Sequence, residues 1–358
     1  MEGRIVVKVG SNVLARKDGR LDHTRMSALV DQIVTLRNKG YELILVTSGA
    51  VACGRSMVET GGKLDSVQQR QLFSAVGQVR LINIYYNLFR DYGISIGQVL
   101  TMKDSFSTRK EYLNQRNCME VMLANGVIPV VNENDTISVT ELMFTDNDEL
   151  SGLVASMMDA EALVILSNID GIFDGAPSDP SSKVIRSVQP DADLSSYIQS
   201  GKSSFGRGGM LTKTSIAQKV AQEGIKVMIA NGKRDNILVD LFEDPKGTVH
   251  TEFVPSAQEV SSVKKWIAHS EDFSKGSIFL NEGAVQALIG QRAASILPVG
   301  VTRIEGNFEE DDIVGIFDAT NGQRLGVGKA AYSSVDAASV IGQKGQKPLV
   351  HYDYLWLE

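Results

Sequence analysis

Residues 5–12 read Ile-Val-Val-Lys-Val-Gly-Ser-Asn, a short run rich in branched apolar residues that stops at small polar ones. The same form recurs as ELILV (42–46), ISIGQVL (94–100), VIPVV (127–131), ALVIL (162–166) and KVMIA (226–230). Longer segments of helical period lie between the runs. Thr24 to Lys39 sets Met26, Leu29, Val30, Ile33 and Leu36 on one face, and Asn147 to Met158 does the same with Leu150, Leu153, Val154, Met157 and Met158. Strands that are apolar throughout, alternating with helices, predict a parallel sheet covered on both faces. The expected fold class is α/β, a three-layer sandwich around a mostly parallel central sheet.

The strand ends carry the polar residues. They are Gly10-Ser11-Asn12, Thr47-Ser48-Gly49, Asn132-Glu133-Asn134-Asp135, Ser167-Asn168 and Asn231-Gly232-Lys233. Ligands of open α/β sheets bind outside the carboxyl ends of the strands. Lys8 is the anomaly, because a central parallel strand should be wholly apolar. An edge strand or a snorkelling side chain accounts for it. The other reading points Lys8 at a phosphate, beside the Gly10 and Ser11 amides.

Two further stretches carry candidate chemistry. Thr145-Asp146-Asn147-Asp148 opens a helix, and capping by Thr145 or Asp146 explains part of it. Capping does not explain why Asn132, Asn134 and Asp135 cluster nearby in sequence, which a polar-substrate pocket would. The second stretch, Ser200 to Lys213, reads SGKSSFGRGGMLTK. Its first half is no P-loop, since Ser196 stands where a glycine is needed and the approach is polar. Gly206 to Gly209 precede a helical segment from Thr214 to Glu223, as at phosphate-binding helix N-termini. Lys213 near that terminus is unfavourable unless an anion binds there.

The character changes near Val254. One amphipathic segment, VSSVKKWIAH, reads as a connector. GSIFL, VTRIEG, DIVGIFD and RLGVG follow, with a hairpin turn at Thr320-Asn321-Gly322-Gln323, and predict a small mainly-β domain. The expected divisions are 1–255, a linker at 256–273, and 274–358. Every motif with a chemical rationale precedes the break, so a chain ended near Pro255 is expected to stay active.

Composition excludes several classes. The net charge is −7, and residues 274–358 hold seven Lys and Arg against ten Asp and Glu, a poor footprint for nucleic acid. Two cysteines, Cys53 and Cys118, and four scattered histidines give neither a disulfide framework nor a zinc site. No apolar run reaches membrane-span length, so a cytoplasmic protein is expected. No G-x-G-x-x-G follows the first strand, which argues against a dinucleotide-dependent dehydrogenase.

In order, VVKVGSNVL, VTSGAVACG, VIPVVNENDT, FTDNDELS, LSNIDGIF and GRGGMLTK resemble the amino acid kinase family. The tail, in LPVGVTRIEGNFEEDDIVGIFD and LGVGKAAYSS, resembles a PUA domain. NENDT combined with TDNDELS is similar to the members that phosphorylate glutamate, and unlike those acting on acetylglutamate, aspartate, carbamate or uridylate. The resemblance implies transfer of phosphate from ATP, with Mg2+, to the side-chain carboxylate of L-glutamate, giving L-glutamyl 5-phosphate in the first step of proline biosynthesis. It also implies a homo-oligomer, dimer or tetramer, with proline as feedback inhibitor.

The resemblance assigns roles as well. Lys8 and Lys213 match the phosphate-binding lysines, and Asp148 the aspartate that orients both. Ser48, Asp135 and Asn147 match glutamate-binding positions. Ser167-Asn168 and the stretch Arg207, Gly208, Gly209, Met210, Leu211, Thr212 and Lys213 match nucleotide-binding positions, and the resemblance leaves metal ligands unassigned. Asn168 stands where relatives often carry Asp, and Arg207 where a small hydroxyl residue is common. The alternatives are another acid or uridylate-type kinase of this fold, and an RNA-binding regulator acting through the tail.

Overall fold

The computed structural model describes residues 2–16, 18–137, 144, 147–176, 179–194, 210–257, 260–270, 273–290 and 294–357, apart from the side chains of Asp104 and Leu211. The chain forms two compact units, one of residues 1–103 and 114–259, the other of 104–113 and 260–358.

The first unit begins with β1 (Arg4–Val9), α1 (Ser11–Leu14), α2 (His23–Asn38), β2 (Glu42–Val46), α3 (Ala50–Arg55), α4 (Ser66–Arg90) and β3 (Ile96–Thr101). It continues, after the first residues of α5 (Arg109–Ala124), with β4 (Ile128–Glu133), α6 (Asn147–Met157), β5 (Ala162–Ser167) and β6 (Ser187–Val188). α7 (Met210–Gln222), β7 (Lys226–Asn231), α8 (Ile237–Glu243) and β8 (His250–Phe253) complete it. The strands form one sheet in the order β3-β4-β2-β1-β5-β7-β8-β6. Every pairing is parallel except β7 with β8. The order reverses between β1 and β5, so a crevice at their carboxyl ends is where such a sheet takes a ligand.

Alternation along β1 shows why both faces are covered. Ile5, Val7 and Val9 join a core that includes Met26, Leu29, Leu81 and Leu238, from α2, α4 and α8. Val6 and Lys8 point to the opposite face, where Lys8 meets Asp148 of α6. The five apolar positions expected of α2 are all buried. Those of α6 are buried too, but this helix is buried all round: Ser151 and Ser156 are at most 1% exposed. The Ser151 hydroxyl turns back to donate to the Asp148 carbonyl at 2.7 Å, so a polar residue there needs no solvent face.

Two glycine contacts set the helices around the crevice. A Cβ on Gly77 of α4 would lie 1.8 Å from the Ala50 carbonyl oxygen, and one on Gly54 of α3 would lie 1.8 Å from that of Phe73. The helices therefore touch backbone to backbone, and α4 fixes the Thr47-Ser48-Gly49 turn that leads into α3. A Cβ on Gly152 of α6 would lie 2.7 Å from Ile216 of α7. Asp148 is four residues before Gly152 and Lys213 three before Ile216, one helical turn in each case. The close approach of α6 and α7 thus brings that acid and that lysine together.

The second unit holds α9 (Ser262–Ala268), β9 (Gly276–Leu280), α10 (Glu282–Ile289), β10 (Val301–Gly306), β11 (Ile313–Asp318), β12 (Arg324–Lys329), α11 (Ser334–Val340) and β13 (Leu355–Leu357). Its sheet runs β10-β9-β11-β12-β13. The hairpin turn falls between β11 and β12, with Gly322 at φ +74°. The division differs from the sequence expectation at two places. The expected linker contains α9, whose Trp266 is 3% exposed and donates to the Phe106 carbonyl at 3.0 Å. Residues 104–113 cluster with this unit, and their Phe106 and Tyr112 are each 1% exposed. A chain ended near Pro255 strips Trp266 from Phe106.

Candidate active site

Lys8 lies on a central strand, between β2 and β5, and is 4% exposed. That removes the edge-strand and snorkelling accounts. Its Nζ pairs with Asp148 Oδ1, and Lys213 Nζ lies 2.6 Å from Oδ2 of the same carboxylate. Asp148 is fully buried. Burial alone would raise its pKa, but the two ammonium groups override this and hold it down at about 2. Two ammonium groups and one carboxylate leave a buried net charge of +1, which favours an anion. The Gly10 amide does not face that position, because it donates to the Leu166 carbonyl at 3.2 Å. Gly10 matters for its missing side chain instead: a Cβ there would stand 3.4 Å from Lys8 Nζ.

A neutral cluster sits beside this trio. Asn147 Nδ2 lies 2.6 Å from the Thr47 carbonyl, 2.9 Å from Ser48 Oγ and 3.0 Å from Asn132 Oδ1. Asn132 in turn donates to Gln78 Oε1 of α4 at 2.8 Å. Below it, Thr47 Oγ1 and the buried Tyr85 hydroxyl are 2.9 Å apart. Burial pushes the Tyr85 phenol up to about 12, the Thr47 contact opposing only part of the rise, so it stays neutral. Ser48 and Asn147, named separately by the sequence, are thus in direct contact, and Asn147 is adjacent in the chain to Asp148.

Asp135 stands at the end of β4 with a partner the sequence did not disclose. Arg70 of α4 donates from Nε to Asp135 Oδ1 at 2.6 Å and from a terminal nitrogen to Glu133 Oε2 at 2.8 Å. Glu133 Oε1 accepts from the Phe144 amide at 3.0 Å. Arg70 is more than sixty residues from both acids, and nothing in its own helix marks it. Gln78 and Tyr85 were missed for the same reason.

At the other side of β1, Ser167 ends β5, and its carbonyl accepts from the Gly232 amide at 2.8 Å. Ser167 Oγ is 3.5 Å from Asn168 Oδ1, and Asn168 is exposed. Asp170, also absent from the expected set, accepts from Asn231 at 2.9 Å and from Nε and a terminal nitrogen of Arg234 at 2.8 and 2.7 Å. The Arg234 contact is the main reason its carboxyl sits below the usual range. Met210, Leu211, Thr212 and Lys213 form the first turn of α7. Arg207, Gly208 and Gly209, with Thr145 and Asp146, lie outside the described residues.

Known proteins resemble the chain over its whole length. The Amino acid kinase family profile matches residues 3–231, and the PUA domain profile residues 276–352. A glutamate 5-kinase of Bacteroides thetaiotaomicron is 68% identical over 99% of this chain and 98% of its own. One of Chlorobaculum tepidum is 48% identical over 99% and 97%. Among solved structures, a carbamate kinase from Giardia lamblia bound to AMP-PNP superposes with a TM-score of 0.52 at 14% identity, over 71% of this chain and 99% of that one, a likeness of fold alone. Sequence profile, full-length relatives and fold agree, and the chain belongs to the amino acid kinase family.

Proposed function

We propose that the chain transfers the γ-phosphoryl group of ATP to the side-chain carboxylate of L-glutamate, giving ADP and L-glutamyl 5-phosphate, the first step of proline biosynthesis. One observation carries the site reading: a buried aspartate held between two lysines, next to a serine–asparagine pair at the strand ends. The glutamate carboxylate is ionised at neutral pH, so its oxygen attacks the γ-phosphorus without a general base. The new bond is carboxylate oxygen to phosphorus, and the broken one joins phosphorus to the β-γ bridging oxygen, which leaves on ADP. The protein's work is to bring two anions together and to stabilise charge on the transferring group. Lys8 and Lys213 do the latter. Asp148 holds them and, at a pKa of about 2, carries no proton to give. Ser48 and Asn147 donate to carboxylate oxygens of the substrate.

Ser167, Asn168 and the segment from Arg207 to Lys213 are proposed to hold the nucleotide. Magnesium, which neutralises phosphate charge in such reactions, is usually held by substrate phosphates with one or two carboxylates. Among the described residues no three His, Cys, Asp or Glu come together. We also place the enzyme in the cytoplasm as a homo-oligomer under proline feedback. Support comes from the family resemblance, from the exposed apolar side chains Met57, Val79 and Tyr86 around one recess, and from the lack, among the described residues, of a helix long and apolar enough to cross a membrane.

The test is an acceptor panel joined to one substitution. Of glutamate, acetylglutamate, aspartate and UMP, glutamate is expected to be the acceptor that supports turnover. Asp135→Asn removes the charge proposed to meet the α-ammonium group, so the glutamate KM should rise about tenfold or more, the scale of a charged hydrogen bond, while the ATP KM stays nearly constant. If the two KM values rose together, Asp135 would serve a metal or the fold instead.

A further inference from the structure

We propose that Arg70 is a positioning residue for glutamate recognition, acting through Asp135 and resting on the reading of Asp135 given above. Glu133 and Asp135 are two residues apart at one strand end, and Arg70 contacts both. Two carboxylates gathered on one cation repel each other, and the guanidinium offsets that repulsion. With Arg70 in place the three groups sum to −1, the charge that matches one α-ammonium group. The arginine also fixes where the Asp135 carboxylate points, because Nε and a terminal nitrogen both meet Asp135 Oδ1 while that terminal nitrogen also reaches Glu133.

The mount for this side chain is rigid. α4 starts with a reciprocal cap between Asp65 and Gln68, so its first turn is closed on itself. The next residue along, Gln71, donates to the Thr136 carbonyl at 3.0 Å. Thr136 Oγ1 in turn meets Asn134 Oδ1 at 2.5 Å. Adjacent side chains of α4 therefore hold the stretch from Glu133 to Thr136. Glu133 carries the constraint onward, through its other oxygen, to the Phe144 amide three residues before Asn147. Side chains of α4 thus brace the strand end that carries Asp135.

The experiment is a double-mutant cycle of Arg70→Gln with Asp135→Asn, read as steady-state kinetics for both substrates, with Arg70→Lys alongside. Arg70→Gln is expected to raise the glutamate KM about tenfold, with kcat and the ATP KM within about twofold, the pattern of lost ground-state binding. Arg70→Lys keeps the charge but loses the fork, so it should recover part of the loss. In the Asp135→Asn background, Arg70→Gln should add less than about twofold, because the residue it acts through is already disabled. An equal factor in both backgrounds would mean that Arg70 binds substrate directly, and the proposal fails. A parallel rise in both KM values with a lowered melting temperature in Arg70→Gln and Arg70→Lys would make Arg70 structural, and it fails again. If Asp135→Asn raises the glutamate KM and Arg70→Gln does not, this proposal alone falls. If Asp135→Asn leaves that KM unchanged, the reading of Asp135 falls and this proposal falls with it.

Discussion

Lys213→Ala and Lys8→Ala are each expected to lower kcat by about 10²-fold or more, with smaller changes in either KM. The magnitude is that of removing one preorganised donor from a developing anion. The geometry says why these lysines should act on the transition state. Both ammonium groups converge on one fully buried carboxylate, so neither depends on substrate to be held in place. Away from water, a charge placed beforehand interacts more strongly with charge that forms during reaction. Either substitution takes the trio from +1 to neutral and removes the bias toward an anion. Steady-state kinetics with circular dichroism of the folded variants would check this. A folded Lys213→Ala protein with full activity would return the lysine to an ordinary place on α7.

The sheet was legible because its signal is local. Six apolar runs announced β1, β2, β3, β4, β5 and β7, because short runs rich in branched residues and bounded by polar ends suit strands of a covered parallel sheet. β6 and β8 were not read: one is two residues long, and the other, HTEF, mixes polar and apolar positions. Lys8 shows a different limit. Whether a strand is central depends on its neighbours in space, and β1 is central only because β2 and β5, over thirty and over one hundred fifty residues on, pair with it. The motif resemblance supplied the partnership of Lys8, Asp148 and Lys213, which spacing could not. It supplied nothing for Arg70, whose contacts to Glu133 and Asp135 join residues far apart in the chain. Phe106 and Trp266 are 160 residues apart, and a break in composition near Val254 gave no hint that the earlier segment clusters with the later one.

Asp148→Asn should be more damaging than either lysine substitution, because it affects stability as well as rate. The amide keeps the shape of the carboxylate but leaves two mostly buried ammonium groups without a counter-charge. Breaking a buried pair from one side typically costs about 3–5 kcal/mol, and kcat should fall by at least the 10²-fold expected for a misplaced lysine. The pH dependence separates this cause from a packing defect. The folded-state pKa of Asp148 is lowered from 3.8 to about 2, so its contribution to stability is fully present above about pH 4–5. It is lost as pH falls through the folded value, because the unfolded chain takes up the proton first. Denaturant unfolding of both proteins from pH 7 down to pH 2 should therefore show a gap that is constant at neutral pH and closes in acid. A gap that persists unchanged at pH 2 would mean that shape, not charge, is what the substitution removed. In that case the lysines are held by their helix and strand rather than by Asp148.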